Sequence, residues 1–425
     1  MHLRKIELKN VKTLEGFTWD LGTATNLAGW HVVLGDNGSG KSTFLKSCAV
    51  ALLGPKNALG LRLTWADWIR QGEAEARINL TVTQDSKLDQ WSGKGNTTTG
   101  DLRLGVKISG STIDGQDSRP SPERHVWGGA GWFSASFGPY RRFSGGNQEF
   151  EKLFYSMPKL ASHLSIFGED VALSETLTWL RNLHYEQLDA EKRDGVTATP
   201  RFLGKLKYFI NQDGLLPNGS QLHEIGPKGV LFIDPTGTPI EIVSLSDGFR
   251  SILSLALELI RQFAVTFGED RVFSADGARI ELPGIVLIDE IDVHLHPKWQ
   301  RSIGPWLTQH FPNVQFIVTT HSPLVCQGAI NGSITMLPDP ATGERGGRVT
   351  SPVLHRLLYG DILEALGSGA FGDGIGRSDA GYQLLAELAA LNVKGRKVPL
   401  SSEEQSRREE LQVIFGGESA LGTET

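Results

Sequence analysis

Lys41 and Ser42 close the run Gly35-Asp36-Asn37-Gly38-Ser39-Gly40-Lys41-Ser42, whose spacing is that of a loop that wraps a phosphate chain. Gly35, Gly38 and Gly40 let backbone N–H groups approach an anion without side-chain obstruction. A helix starting behind them adds the partial positive charge of its N-terminus. In a loop of this kind the Lys41 ammonium reaches the β- and γ-phosphates and the Ser42 hydroxyl takes Mg²⁺, with Asn37, Ser39 and Thr43 lining the same cradle. Further along, Asp289 and Glu290 stand directly after the apolar run Ile285-Val286-Leu287-Ile288. An unbroken apolar run suits a parallel strand buried on both faces, and ligands of open α/β sheets bind beyond the carboxyl ends of such strands. Asp289 is thereby placed to assist a Mg²⁺ ion and Glu290 to polarise an attacking water.

His321 follows a second buried-strand signature, Val314-Gln315-Phe316-Ile317-Val318, in the setting Thr319-Thr320-His321-Ser322-Pro323. A neutral imidazole at a strand end can donate a hydrogen bond to a γ-phosphate and sense its loss. Ser244-Leu245-Ser246-Asp247-Gly248-Phe249-Arg250 ends an extended stretch and opens a helix over 249–263. A hydroxyl, free N–H groups and a helix N-terminus together make another anion site. One nucleotide does not need two such sites, so Ser246 and Gly248 are expected to serve a nucleotide held by another copy of the chain. Arg250 either touches that nucleotide or locks the helix. His294-Leu295-His296 invites a metal reading, but no Cys or third His accompanies it at ligand spacing, and Pro297 reads as the first residue of a helix. A structural loop at a subunit interface is the better expectation.

The elements needed to hold these groups are legible around them. Residues 30–34 read as a short buried strand before the phosphate loop and 43–53 as a helix ending at Gly54. In this order, the motifs resemble those of ABC-type ATPase heads of the SMC/RecF/OLD group. Leu245-Ser246-Asp247-Gly248-Phe249-Arg250-Ser251 and Asp289-Glu290-Ile291-Asp292-Val293-His294-Leu295-His296-Pro297 are similar, more narrowly, to AAA-family ATPases of bacterial anti-phage systems, such as the Septu-type ATPase subunit and the ATPase half of OLD nucleases. The resemblance covers residues 1 to 335, weakly between 60 and 235. It implies a P-loop NTPase of α/β class with a two-lobed head that binds ATP and Mg²⁺. Lys41, Ser42, Asp289, Glu290 and His321 would act on one subunit, with Ser246 and Gly248 facing them from the other. Asp292 would match a loop that crosses the interface of the dimer.

Three departures bound what the resemblance carries. The signature has Ser-Asp-Gly-Phe-Arg where transporter subunits have a Ser-Gly-Gly-Gln type, which argues against transport. The glutamine that such heads place against Mg²⁺ is not identified between the lobes, Gln71 standing too early. Phe137-Gly138-Pro139-Tyr140-Arg141-Arg142 occupies that region, and Arg141 or Arg142 is either a nucleotide contact or part of a surface turn. Finally, no acidic cluster follows His321, so a nuclease domain of the OLD kind is not expected.

Composition narrows the classes. The chain has 425 residues, enough for a sizeable core, and only two cysteines, Cys48 and Cys326, both inside apolar segments, as a reducing cytosol would favour. No apolar run approaches a membrane span, and residues 1–9 alternate like a strand with no signal core. A net charge of −6 removes any global argument for nucleic-acid binding. The expected organisation is an ATPase lobe over 1–147 with a polar hairpin tip within 85–118, an inserted helical arm over 148–215, a second lobe over 216–345 and a helical extension over 346–425. In the arm, Leu173, Leu177, Leu180, His184 and Leu188 fall at helical spacing, and Thr199-Pro200 reads as the start of a second helix carrying Phe202, Leu206, Phe209 and Ile210. The arm is either a docking element or a helical subdomain packed on the core. Ser401-x-x-Glu404 reads as a capping box.

These readings make the chain an ATP-binding, ATP-hydrolysing head that dimerises around ATP·Mg²⁺ and controls a separate nuclease or toxin-like effector in a prokaryotic defence system. A DNA-repair ATPase of the RecF or SMC kind, which would grip nucleic acid, and an ATP-clamped scaffold with little turnover are the alternatives. Glu290 weighs against the scaffold, since a static clamp needs no water-activating carboxylate.

Overall fold

The computed structural model describes the chain except for residues 24–26, 85–88, 90–99, 117, 119, 129–130, 142–155, 169–173, 195–201, 217–218, 228, 341–342, 369, 372–377 and 420–425. Arg142, Leu173, the Thr199-Pro200 helix start and most of the expected hairpin tip therefore lie outside the described residues. Two compact units are present, Met1–Gly360 and Asp361–Thr425.

The described residues of the first unit form three sheets. One is antiparallel, with order β2-β1-β4-β5-β6: β1 (His2–Val11), β2 (Leu14–Asp20), β4 (Glu75–Thr83), β5 (Leu102–Ser109) and β6 (Thr112–Gly115). Its strands alternate buried and exposed residues, as Ala76, Ile78, Leu80 and Val82 do along β4, because only one face meets the core. That face rests on α1 (Lys41–Ala58), whose Phe44, Leu45, Cys48, Ala49 and Leu52 join the same apolar cluster as Ile6, Leu8 and Val106. The helix expected to stop at Gly54 is interrupted there, where φ is 75°, and then resumes to Ala58. A side chain at Gly54 would run into the Trp127 ring.

The second sheet is mostly parallel, with order β14-β13-β3-β12-β11-β7. It contains β3 (Gly29–Leu34), β7 (Ser134–Phe137), β11 (Gly284–Ile288), β12 (Val314–Thr319), β13 (Gly332–Met336) and the two-residue β14 (Gly347–Arg348), which runs antiparallel to β13. All residues of β3, β7, β11 and β12 are buried, which is why β11 reads as an unbroken apolar run, and β3 and β12 as mostly apolar runs interrupted by His31 and Gln315. Strands from the two spans expected as separate lobes thus lie side by side here. A third sheet, β8 (Gln221–Gly226), β9 (Gly229–Ile233) and β10 (Pro239–Glu241), precedes α5 (Asp247–Phe267).

Helices of the expected arm divide. α2 (Pro158–Leu164) buries Leu160, Ala161 and Leu164 against Leu53 of α1. α3 (Ser174–Asp194) leaves Tyr185 and Leu188 exposed but inserts Thr176 into a buried network, where its hydroxyl and the Arg261 and Gln262 side chains all bond Glu258 of α5. α4 (Phe202–Ile210) sends Phe209 between Trp306, His310 and Phe311, with ring centroids 5.4–5.6 Å apart. The arm is therefore a packed subdomain over α2 and α4. Sequence periodicity could assign the apolar face of α4 but not what covers it.

The unit closes with α6 (Pro297–His310), α7 (Pro323–Cys326) and α8 (Val353–Tyr359). Because β14 pairs with β13, and Val349 N–H donates to Ile334 O at 2.8 Å, the first unit extends to Gly360, past the expected boundary at 345. The second unit holds α9 (Ile362–Leu366), α10 (Asp379–Lys397) and α11 (Ser402–Ser419). Leu388, Leu411 and Phe415 form its small core. The Ser401–Glu404 capping box is made, with Glu404 N–H donating to Ser401 Oγ at 3.2 Å and Ser401 N–H to Glu404 Oε2 at 3.1 Å. No helix of the described residues is long and apolar enough to cross a membrane.

Candidate functional site

The site lies where four parallel strands end level. Ile288 is registered with Val318 on one side and Phe137 on the other, and Val318 with Val32, so β7, β11, β12 and β3 deliver their following loops to one edge. Strand order places β12 between the phosphate-loop strand and the carboxylate strand, the kind of edge at which open α/β sheets bind ligands.

The phosphate loop turns through Gly38 (φ 85°) and Gly40 (φ 96°), left-handed positions that glycine adopts without strain. Gly40 is the N-cap of α1, and Lys41 its first residue. A Cβ at Gly40 would also sit 3.0 Å from Thr13 Oγ1, so the β1–β2 turn closes on the loop from outside. Lys41 Nζ donates to the loop's own carbonyls, Gly35 O at 2.6 Å and Asp36 O at 3.0 Å. Burial lowers its pKa, while Glu290, Asp289, Asp36 and Asp292 pull the other way, so this ammonium faces an acidic edge. Ser39 is buried and its hydroxyl has no hydrogen-bond partner among the described residues. A cradle of N–H groups, a lysine bonded only to replaceable carbonyls and an orphaned hydroxyl fits a phosphate-bearing ligand with Mg²⁺.

Asp289 is 2% exposed, and its Oδ1 accepts from Thr319 Oγ1 at 2.6 Å. The same Thr319 oxygen accepts Glu290 N–H at 2.8 Å. One hydroxyl of β12 thus orients both neighbours on β11. Glu290 has φ 44°, left-handed for a non-glycine residue, which swings it out of the line of the strand. Asp292, expected at a subunit interface, has its carboxylate engaged within the chain: Oδ1 accepts Thr320 Oγ1 at 2.6 Å and His321 N–H at 3.4 Å. His321 itself is exposed beyond β12.

Ser246 is the N-cap of α5, is exposed, and makes no capping bond with its side chain. Gly248 is buried, and a Cβ there would collide with the His294 carbonyl oxygen. Phe249 stacks on Trp299, with centroids 5.9 Å apart. The start of α5 is thereby docked on the segment that follows Glu290 in the same chain. Arg250 donates to Val243 O at 2.9 Å and pairs with Asp247, so it locks the helix start. Among the described residues no hydrogen bond or ion pair joins Ser246, Gly248 or Arg250 to residues 35–43. His296 caps α6, its Nδ1 accepting Lys298 N–H at 3.3 Å, while His294 is exposed with φ 66°.

Sequence reasoning left Arg141 undecided between a nucleotide contact and a surface turn. It is not part of a surface turn. Arg141 is 5% exposed, and among the described residues its guanidinium donates to Ser251 Oγ and the carbonyls of Gly138, Asp289, Glu290 and Ile291. Burial lowers its pKa to about 10, so it stays charged at neutral pH. The signal available in the sequence was its place just past Gly138-Pro139, at the end of a strand level with Asp289.

A family model described as "AAA domain, putative AbiEii toxin, Type IV TA system" matches residues 115–327. Septu protein PtuA of Bacillus mycoides (strain KBAB4) is 26% identical over 348 residues, which are 79% of this chain and 40% of that protein. "Retron Ec83 probable ATPase" of Escherichia coli is 42% identical over 133 residues, 30% of this chain and 23% of that protein. The chain therefore matches less than half the length of these relatives. Among solved structures, an SMC head bound to the C-terminal winged-helix domain of ScpA is similar in fold, with a TM-score of 0.50 and 14% identity over 84% of this chain and 100% of that one.

Proposed function

We propose that the chain, which belongs to the AAA-domain family whose model spans half of it, is an ABC-type ATPase head of the SMC/RecF/OLD type that hydrolyses ATP between two copies of itself and thereby controls a separate effector in anti-phage defence. One observation carries the reading. The phosphate loop and the acidic strand end face each other within a chain, whereas the start of α5 is docked on its own 294–299 segment with its serine left free. That division suits a site completed by a second copy, related by the two-fold symmetry usual for dimers.

In this reading Lys41 leaves the carbonyls of Gly35 and Asp36 for phosphate oxygens, and the N–H groups of 38–43 hold the β-phosphate. Mg²⁺, when bound, supplies neutralisation of charge on the β- and γ-phosphates, and Ser42 and Asp289 would hold it. Glu290 takes a proton from the attacking water, and His321 donates to the terminal phosphate. Ser246 and the α5 N-terminus of the second copy bind the same terminal group from the other side. The names of the relatives, a probable ATPase of a retron and the PtuA protein of Septu, support the defence setting.

Glu290→Gln keeps the shape and removes the base. It is expected to bind ATP as tightly as the unaltered protein, to lose turnover about 100-fold or more, and to accumulate as a dimer with ATP·Mg²⁺. Phosphate release and analytical ultracentrifugation read both. Undiminished steady-state turnover would sink the assignment of Glu290. Recovery of the trapped dimer from native cells with DNA and no effector protein would instead favour a repair ATPase.

A further inference from the structure

Arg141 buries a positive charge with no carboxylate bonded to it among the described residues. All five of its recorded acceptors are neutral: Ser251 Oγ at 3.2 Å from Nε, Gly138 O at 2.9 Å and Asp289 O at 3.1 Å from Nη1, and Glu290 O and Ile291 O each at 3.3 Å from Nη2. Three of these are consecutive carbonyls of the turn that carries the proposed catalytic carboxylate. Consecutive peptide oxygens point to a common centre only in a curled backbone, and Glu290 supplies the curl with its left-handed φ of 44°. A non-glycine residue stays in that region only where its surroundings over-determine it. Here a guanidinium gathers the oxygens from below, and Thr319 Oγ1 holds the Glu290 N–H.

The fifth acceptor belongs to a different element. Ser251 lies on α5, close after the signature residues Ser246 and Gly248, and is buried. The same guanidinium therefore grips the catalytic turn and the base of the helix whose tip is offered to another copy's nucleotide. Side-chain carboxylates of Asp289, Glu290 and Asp292 surround it closely enough to favour its charged form. Its bonds to the turn, however, go to main-chain atoms, which fixes the path of the turn and occupies none of its carboxylate oxygens.

We propose that Arg141 is a positioning residue that holds Glu290 in its catalytic turn and ties that turn to α5, so that engagement of the α5 tip by a partner's nucleotide orients Glu290 in the same chain. The inference rests on Glu290 being the hydrolytic carboxylate. A guanidinium is required because five donors in a planar fork reach acceptors on three segments. A lysine ammonium has three donors and no such span.

The test measures equilibrium binding of a fluorescent ATP analogue together with kcat and KM for ATP, in the full chain and in Arg141→Ala, Arg141→Lys, Ser251→Ala and Glu290→Gln. Arg141→Ala and Arg141→Lys are expected to bind nucleotide within about threefold of the unaltered protein, with kcat lowered about 100-fold and KM little changed. Ser251→Ala severs only the α5 bond and is expected to lower kcat about fivefold at constant KM. A kcat within twofold of the unaltered protein in Arg141→Lys and Ser251→Ala overturns the inference, as does equal loss of binding and turnover in both, which marks a merely structural arginine. These two variants decide the matter should Arg141→Ala not fold. Absence of turnover in the unaltered protein, or full turnover in Glu290→Gln, overturns the underlying reading instead, so the two failures are told apart.

Discussion

The two proposed halves of the nucleotide site are made to different standards. Around the phosphate loop, Lys41, Asp289 and Thr319 are buried, and each is bonded within the chain. At the start of α5, Ser246 is exposed and its side chain caps nothing. The difference is instructive because a helix N-cap serine ordinarily satisfies an N–H of its own first turn. A half-site that works within its own chain can be completed by folding. One meant for another copy has to leave its donors open, and its rigidity must come from behind, here from Gly248 against His294, Phe249 against Trp299 and Arg250 on Val243.

Breaking the self-contained half should have the largest effect. Lys41→Ala removes the ammonium that faces the phosphates, and nucleotide affinity is expected to fall about 100-fold or more, read by equilibrium binding. Affinity within a factor of three of the unaltered protein would contradict the role given to the loop. The open half is more sensitive to what lies behind it. Gly248→Ala drives a methyl group into the His294 carbonyl, an overpacking that costs about 1–3 kcal/mol. Lowered thermal stability and lost turnover with nucleotide binding retained are the expected outcome, whereas an unchanged midpoint would mean that the close approach is not rigid.

An effect of a different kind concerns acid and the sheet beneath both halves. His31 is bonded to Ser333 and the Leu27 carbonyl, and burial pushes its pKa down to about 4. His163 lies between the Ser134 and Ser136 hydroxyls, with its pKa pushed down to about 3. Both are neutral in the fold, while an unfolded chain protonates them near pH 6.5. The unfolded state then binds more protons, so stability is complete above about pH 6.5 and declines as pH falls from there toward 4, by up to about 1.4 kcal/mol per unit for each histidine. Urea titrations at pH 8, 6.5 and 5 measure this, and a midpoint equal at pH 8 and pH 5 would exclude it.

What was legible in the sequence was what is local. The phosphate loop, β11 and β12 each occupy one stretch whose spacing or apolar run has a single physical reading, and the strand ends follow from them. Arg141 was not legible as a clamp, because its partners on the Asp289 turn lie 148 to 150 residues away and Ser251 lies 110 away. Nothing in Gly138-Pro139-Tyr140-Arg141 announces which carbonyls will converge on it. Asp292 shows the complementary limit: its motif resemblance pointed to a loop between subunits and said nothing of the register of β11 on β12, which brings Thr320 and the His321 N–H to its carboxylate. The periodicity of α4 likewise exposed an apolar face without disclosing the aromatic cluster of Trp306, His310 and Phe311 that covers it.

The central claim is that one site takes residues from two copies, and mixing crippled proteins tests it most directly. Lys41→Ala and Ser246→Arg are each expected to be inactive alone, one lacking the phosphate loop's lysine and the other its open serine. In an equal mixture, mixed dimers keep one site with both halves intact, so phosphate release should rise well above that of either parent, toward about a quarter of the unaltered rate. A mixture no more active than its parents would contradict the account.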